Sequence, residues 1–308
     1  MTDPLDIASL IIAGLLAMVV SGNNLSACAG TIIGSGIVRR RTGVVLAVAG
    51  YLAGLVLEGP KLFRVREVFL PTHTPLAGFS ILLASLLVFV GGDLLRVPLS
   101  LSKALTGSIL GVSVALGTFY QTGYLALILG FWFLVPLAAT GLGIVLIVLD
   151  DLLSPRNLWL KLTLLKAGLL PLAFLSAYVL GVNTLGLIAG IPYNRTLIAT
   201  IAVGIGCVVG AFLLGGGALR RLTEGIFSLR YPNAFYAQLV GSATVELANQ
   251  FAVPLSITET VSSGIIGSGL ARRMRVLNVH NIFLIISSWV LSPIIGFLLA
   301  FILVKVLA

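Results

Sequence analysis

Apolar stretches long enough to cross a bilayer recur along nearly the whole chain, and the short segments between them hold almost all of its Arg, Lys, Asp and Glu. Nothing else in the sequence constrains the fold as tightly. Hydrocarbon offers no partner to a backbone amide or carbonyl, so a segment of this length crosses it as a helix that satisfies its own hydrogen bonds. Read by apolar length, the spans fall at roughly 5–36, 43–59, 76–91, 98–117 and 123–149, then 159–191, 196–214, 233–250, 254–271 and 279–305. Composition agrees: 58% of the 308 residues are hydrophobic, 9% are charged and mean hydropathy is +1.14, a balance that leaves a soluble domain too little polar surface. The first apolar run follows Thr-Asp-Pro-Leu-Asp with no basic region before it, so it reads as the first span rather than a cleaved signal. The expected product is an all-α polytopic protein, multi-pass in the cell membrane, with the lipid bilayer as its solvent.

The net charge of +9 would suit a nucleic-acid binder, but the basic residues are scattered over short loops with no aromatic-interleaved basic face. No nucleic-acid partner is expected. Cys28 and Cys207 lie in apolar segments, where a thiol behaves as a small hydrophobe. The two histidines, His73 and His280, fall in a loop or at a span edge, so neither a metal cluster nor a Cys/His nucleophile can be assembled. Gly204, Gly206 and Gly210 faintly resemble a nucleotide loop but sit inside a span, where close helix packing explains them better; the same holds for Gly34, Gly36, Gly264, Gly267 and Gly269.

The chain repeats itself. Val97-Pro98-Leu99-Ser100-Leu101-Ser102 returns as Val253-Pro254-Leu255-Ser256-Ile257-Thr258 at an offset of 156 residues, and Ile109-Leu110-Gly111 meets Ile265-Ile266-Gly267 at the same offset. Upstream, Gly22-Asn23-Asn24-Leu25 is answered more weakly by Gly181-Val182-Asn183-Thr184. Two halves follow, 1–150 and 151–308, of about five spans each. An odd number of spans inverts the second half relative to the first. The charges agree with that: Arg39-Arg40-Arg41 follows the asparagine motif in one half, while Arg272, Arg273 and Arg275 follow the Pro-Leu-Ser motif in the other, and only inversion puts both clusters on one face. Lys61, Arg64, Arg66, Arg195 and Lys305 then fall on the opposite face. Inverted repeats packed about an in-plane axis can rock between states open to either side, which favours a transporter.

Both motifs place polar or helix-breaking residues within hydrocarbon-length runs, the expected mark of broken or re-entrant helices at the midplane. Pro98 and Pro254 stand where a first helical turn begins, followed by Ser100 and Ser102 and by Ser256 and Thr258. Two helix starts facing inward would offer unpaired amides, partial positive charge and hydroxyl donors, a combination suited to a tetrahedral oxyanion. The plainer alternative is that the prolines begin ordinary spans and the hydroxyls bond back to their own helices.

On these residues the chain resembles the inorganic phosphate transporter family, which includes sulfate permeases. Gly22-Asn23-Asn24 and Gly181-Val182-Asn183 stand where the family has Gly-x-Asn-Asp, and the two Pro-Leu-Ser stretches stand where it has Pro-Val-Ser-Thr-Thr-His. Arg220 to Arg230 leading into Leu239–Asn249, and Ser287 and Trp289 in the closing span, add to the likeness. The resemblance implies a secondary transporter of phosphate or sulfate, operating as a homodimer. It places Asn24 and Asn183 in the cation and substrate region, and Ser100, Ser102, Ser256 and Thr258 at the substrate. No cofactor is implied beyond coupling sodium or protons.

The chain departs from the family where charge matters. Leu25 and Thr184 replace the signature aspartates, which puts sodium coupling of the usual kind in doubt. Lys103 and Glu259 replace the two histidines, and ionisable residues within spans are functional candidates because each needs a partner or water. Lys103 is expected either to supply the charge of a bound cation or to pair with Glu259 across the pseudo-axis; the alternative is that both snorkel to an interface. The coupling-ion candidates are Asn24, Asn183, Thr184 and Glu246, Glu246 being equally readable as a structural carboxylate. Glu58 and Lys166 read as interface residues, and Asp93, Asp150 and Asp151 as loop or cap residues. The functional expectation is ion-coupled symport of a small anion by alternating access. An anion channel, a carrier of another small solute and a non-transporting scaffold are the rivals. A membrane-embedded enzyme lacks a nucleophile and base set.

Overall fold

The computed structural model of the chain describes residues 3–71, 74–95, 97, 99–153, 157–192, 196–215, 231–271 and 279–308. Pro98, His73, Asn194, Arg195, the Arg220 to Arg230 segment, and Arg272, Arg273 and Arg275 lie outside the described residues, as does the side chain of His280.

The described residues are helical, with no strand among them. The first part of the chain forms α1 (Pro4–Gly34), α2 (Arg40–Leu57), a 3-10 turn over Gly59–Leu62, α3 (Phe63–Phe69), α4 (Pro75–Leu94), α5 (Leu101–Ala115) and α6 (Thr122–Leu153). The second forms α7 (Leu158–Leu180), a π-helical turn Gly181–Leu185, α8 (Gly186–Ala189), α9 (Thr196–Leu213), α10 (Tyr231–Gln250), α11 (Ile257–Ala271) and α12 (Val279–Leu307). Ends are locally encoded. Asp3 caps α1 by accepting from the Leu5 amide, with Pro4 in the first turn. Beyond α1, Gly36 takes a positive φ, with Gly36 N–H on the Ile33 carbonyl and Ile37 N–H on that of Ile32. Gly117 closes α5 in the same way, through Val114 and Ser113. Gly36 is therefore a helix terminator, not the packing glycine expected from the sequence.

Among the described residues, seven helical segments are long and apolar enough to cross a membrane, where the apolar runs had suggested ten spans. The difference has two causes. α5 and α11 have 15 residues each, about 22 Å at ~1.5 Å per residue, short of a ~30 Å hydrocarbon core. α10 has the length, at 20 residues, but carries buried Gln238, Ser242 and Asn249 and faces protein. The motif asparagines do not stop their helices either: α1 runs through Asn23 and Asn24, and α7 continues through its π turn into α8. The outer surface is apolar, with Phe133, Leu137, Ile201 and Ile205 exposed on α6 and α9, while hydroxyl and amide side chains are turned inward.

Packing pairs come in matched sets across the two sequence halves. α1 lies along α9 and α2 along α7; α5 lies along α12 and α11 along α6. Glycine makes the approach close enough. A Cβ at Gly107 or Gly111 would collide with the carbonyl oxygens of Pro293 and Phe297 on α12, and one at Gly267 or Gly143 with those of Thr140 and Gly264 across the α6/α11 contact. Gly206 and Gly210 press in the same way on Gly14 and Met18 of α1, so these glycines serve packing. Replacing Gly111 by Val should lower the melting temperature in detergent, the overpacking being worth about 1–3 kcal/mol. Gly130→Ala, where nothing lies within 4 Å, should show no loss.

Candidate functional site

α5 and α11 begin at one cavity, lined mostly by buried residues with Thr258 exposed. Ser100 and Ser256 stand just before Leu101 and Ile257, the first residues of the two helices, and the first intrahelical bonds run from Ala104 N–H to the Ser100 carbonyl and from Thr260 N–H to that of Ser256. The amides of each first turn therefore precede the hydrogen-bond ladder. Asn24, Ser100, Ser102, Thr184, Ser256 and Thr258 line the cavity, with Asn23, Phe89, Leu99, Leu101 and Ile257 completing it; its volume is about 100 Å³. Pockets for drug-sized organic ligands run to roughly 300–1,000 Å³. A small ion fits this one better than an organic solute does.

The hydroxyls are partly engaged with one another. Ser102 Oγ lies 3.0 Å from Thr184 Oγ1, and Ser256 Oγ lies 2.8 Å from Thr258 Oγ1. The Ser100 amide donates to Ser292 Oγ on α12 at 2.8 Å, while the Ser100 hydroxyl is buried with no hydrogen-bond partner in the protein. A buried, unengaged hydroxyl costs about 1–3 kcal/mol unless something else bonds to it. Here it faces the cavity together with two helix N-termini, an arrangement that favours negative charge.

Next to Ser102 and Thr258 in sequence lie Lys103 and Glu259, 2% and 4% exposed. Lys103 Nζ is 2.7 Å from Glu259 Oε2, so the two helix starts are joined by an ion pair. Burial at this level rules out snorkelling to an interface. Lys103 also sits 5.2 Å from the ring centroid of Trp132 on α6 and 5.6 Å from that of Trp289 on α12, a cage for its charge. Trp132 is held in place by its Nε1–H, which donates to the Pro254 carbonyl at 2.7 Å. The second carboxylate oxygen of Glu259, Oε1, is buried without a partner.

The other candidates sit behind this centre. Asn183, 1% exposed, does not line the cavity; its Nδ2 donates to Asn249 Oδ1 at 2.6 Å, and its own Oδ1 is unpartnered. Glu246 is farther out, accepting from Asn249 Nδ2 at 3.2 Å and from Gln250. That network continues to Glu58, which accepts from Gln250, from Tyr178 and from Lys61. The Lys61 ammonium holds the Glu58 carboxyl down to about 2. Asp150 is not a loop residue: it lies in the last turn of α6, 7% exposed, bonded to Lys161 and to the Tyr236 hydroxyl. Sequence reasoning missed Phe89, Trp132 and Ser292, which carry no local signal because their partners are distant in the chain. Among the described residues no group of His, Cys, Asp and Glu could hold a metal ion.

Residues 20–300 match the phosphate transporter family. This chain belongs to that family. It is 25% identical to the sulfate permease CysP of Bacillus subtilis over 98% of this chain and 88% of that one. It is 26% identical to a putative phosphate permease of Methanocaldococcus jannaschii over 95% of each. A solved structure titled the sodium-dependent phosphate transporter shares the fold, with a TM-score of 0.85 over 99% of both chains at 16% identity. The chain is thus a multi-pass membrane protein and an anion transporter, not an enzyme.

A buried ion pair costs several kcal/mol per ion in lost hydration, and breaking one by removing a single partner costs more than replacing both. Lys103→Met alone should therefore lose about 3–5 kcal/mol of stability, read as a lower melting temperature in detergent. Lys103→Met combined with Glu259→Leu should recover most of that loss.

Proposed function

We propose that the chain is a secondary active transporter of a small tetrahedral oxyanion, sulfate or phosphate, which it moves by ion-coupled alternating access. The observation that carries this reading is the meeting of two helix starts, with an unengaged Ser100 hydroxyl, at a cavity of about 100 Å³ within the helical bundle. Four acceptor oxygens of a tetrahedral anion suit donors arriving from two sides. Relatives named for sulfate and for phosphate support the substrate class.

Alternating access follows from reading the halves as inverted repeats. Equivalent hydrogen bonds recur at the offset of the sequence repeat: Val97 N–H to Gly92 O answers Val253 N–H to Ala248 O, and Ala104 N–H to Ser100 O answers Thr260 N–H to Ser256 O. The exchanged packing of α5 on α12 and α11 on α6 supports the same reading. Two such bodies can rock about a fixed central site.

Uptake of labelled sulfate and phosphate into proteoliposomes tests the proposal. Saturable uptake of one or both is expected, with accumulation above equilibrium under an ion gradient; flux that never exceeds equilibrium would favour a channel. Ser100→Ala removes a hydroxyl that no protein group uses. Loss of a hydrogen bond to a charged ligand, about 1.5–3 kcal/mol, should raise the KM for the anion roughly 10- to 100-fold. An unaltered KM would take Ser100 out of the site.

A further inference from the structure

We infer that the coupling ion is a proton carried by Glu259, and that Lys103 is the built-in cation which this proton unmasks for the anion. The inference rests on the anion-transport reading above and names its driving ion.

Four observations carry it. First, among the described residues no carboxylate lines the cavity: its polar side chains are Asn23, Asn24, Ser100, Ser102, Thr184, Ser256 and Thr258, which give a sodium ion neutral oxygens and no compensating charge. Second, the carboxylate beside the cavity is Glu259, one residue after Thr258, and it is spent on Lys103 at 2.7 Å. Third, Glu259 Oε1 is buried without a partner, an open position for a proton. Fourth, Lys103 is held by more than Glu259, because the Trp132 and Trp289 rings stay against its ammonium when the carboxylate is neutral.

Among the described residues, the charged groups around α11 leave Glu259 with one charged contact. α11 packs against α6, α10 and α1, whose charged side chains are Asp150 and Asp151, Glu246, and Asp6. Asp150 is bonded to Lys161 and Tyr236, and Glu246 to Asn249 and Gln250. Lys103, from α5, is the ionic partner on Glu259. Glu58 at the end of α2 is held anionic by Lys61 and is not a proton carrier near neutral pH.

The electrostatics then give an order of events. In the empty site Lys103 and Glu259 cancel, and a divalent anion gains little from a neutral pair while being repelled by its negative end. A proton from the open side adds to Glu259 Oε1. The carboxylate charge disappears, Lys103, one residue behind the cavity-lining Ser102, is left as an uncompensated cation whose field favours the anion, and the two helix starts complete the shell. On the other side the anion leaves, the proton departs, and the Lys103–Glu259 pair re-forms. Each turnover carries at least one proton with the anion.

Proteoliposomes free of sodium and loaded with a pH dye test this directly with labelled sulfate and labelled phosphate. For the wild-type protein, an inside-alkaline gradient should drive accumulation of the transported anion, a protonophore should abolish it, and anion entry without an imposed gradient should acidify the lumen. An inward sodium gradient alone should drive none. Glu259→Gln, neutral at all pH, should still exchange labelled for unlabelled anion across the membrane, with accumulation under the proton gradient falling to the equilibrium level. Accumulation by Glu259→Gln under that gradient, accumulation by wild type without lumen acidification, or sodium-driven accumulation would each overturn the inference. If wild type exchanges no labelled sulfate or phosphate at all, it is the anion-transport reading that falls. The lumen-pH measurement on wild type decides the matter even where the variant does not fold.

Discussion

A helix can start within a membrane bundle only where something other than lipid receives its unpaired backbone groups, and the starts of α5 and α11 meet at one polar cavity. At the start of α5 the Ser100 amide is taken by Ser292, and at the start of α11 the Glu259 amide reaches back to Ser256 Oγ at 3.4 Å. Leu101, Ser102, Ile257 and Thr258, which carry further first-turn amides, line the cavity. The far end of α5 is closed by Gly117, with the Ser113 and Thr118 hydroxyls both on the Phe69 carbonyl of α3. Short helices of this kind are costly on their own. They persist because α12 and α6 present grooves that glycine lets them enter, so the packing, the broken helices and the polar cavity form a single physical solution.

The buried ion pair is poorly explained by stability alone. Removing an ammonium and a carboxylate from water costs more than their attraction reliably returns, and two leucine-sized side chains would hold α5 to α11 as well. The surroundings of Lys103 look arranged to keep its charge: two indole rings on it, one of them fixed by a hydrogen bond to Pro254, and a carboxylate with one oxygen left unused. On the proton-coupling proposal, a cationic centre of this type supplies part of what a bound metal ion would contribute and is switched by a single proton.

Much of this was legible in the sequence, for identifiable reasons. The Val-Pro-Leu-Ser recurrence located both helix starts, because a proline and hydroxyls in an apolar run have few other uses. The charge of Lys103 and Glu259 inside such runs marked them as functional candidates, with pairing as one of the readings open before their 2.7 Å separation was known. Other features were hidden. A polar pair such as Asn23-Asn24 reads as a break, yet a helix needs no break to carry an amide side chain into a cavity, and α1 runs straight through. The length of a half-helix is set by its partner's groove, so 98–117 and 254–271 looked like spans. Trp132 in a long apolar stretch is indistinguishable from a lipid-facing aromatic until α5 is laid against it. Asp150 looked like punctuation at the end of a span because its partners, Lys161 and Tyr236, lie in other helices.

The exchanged glycine contacts have an evolutionary corollary. Each short helix is seated on the last long helix of the opposite half: α5 from the first half on α12, α11 from the second on α6. Neither half contains the groove its own short helix needs. On the inverted-repeat reading, a chain of half this length would find the groove for α5 only on a second copy of itself, and the two halves differ at the same point of the repeat, Lys103 in one and Glu259 in the other.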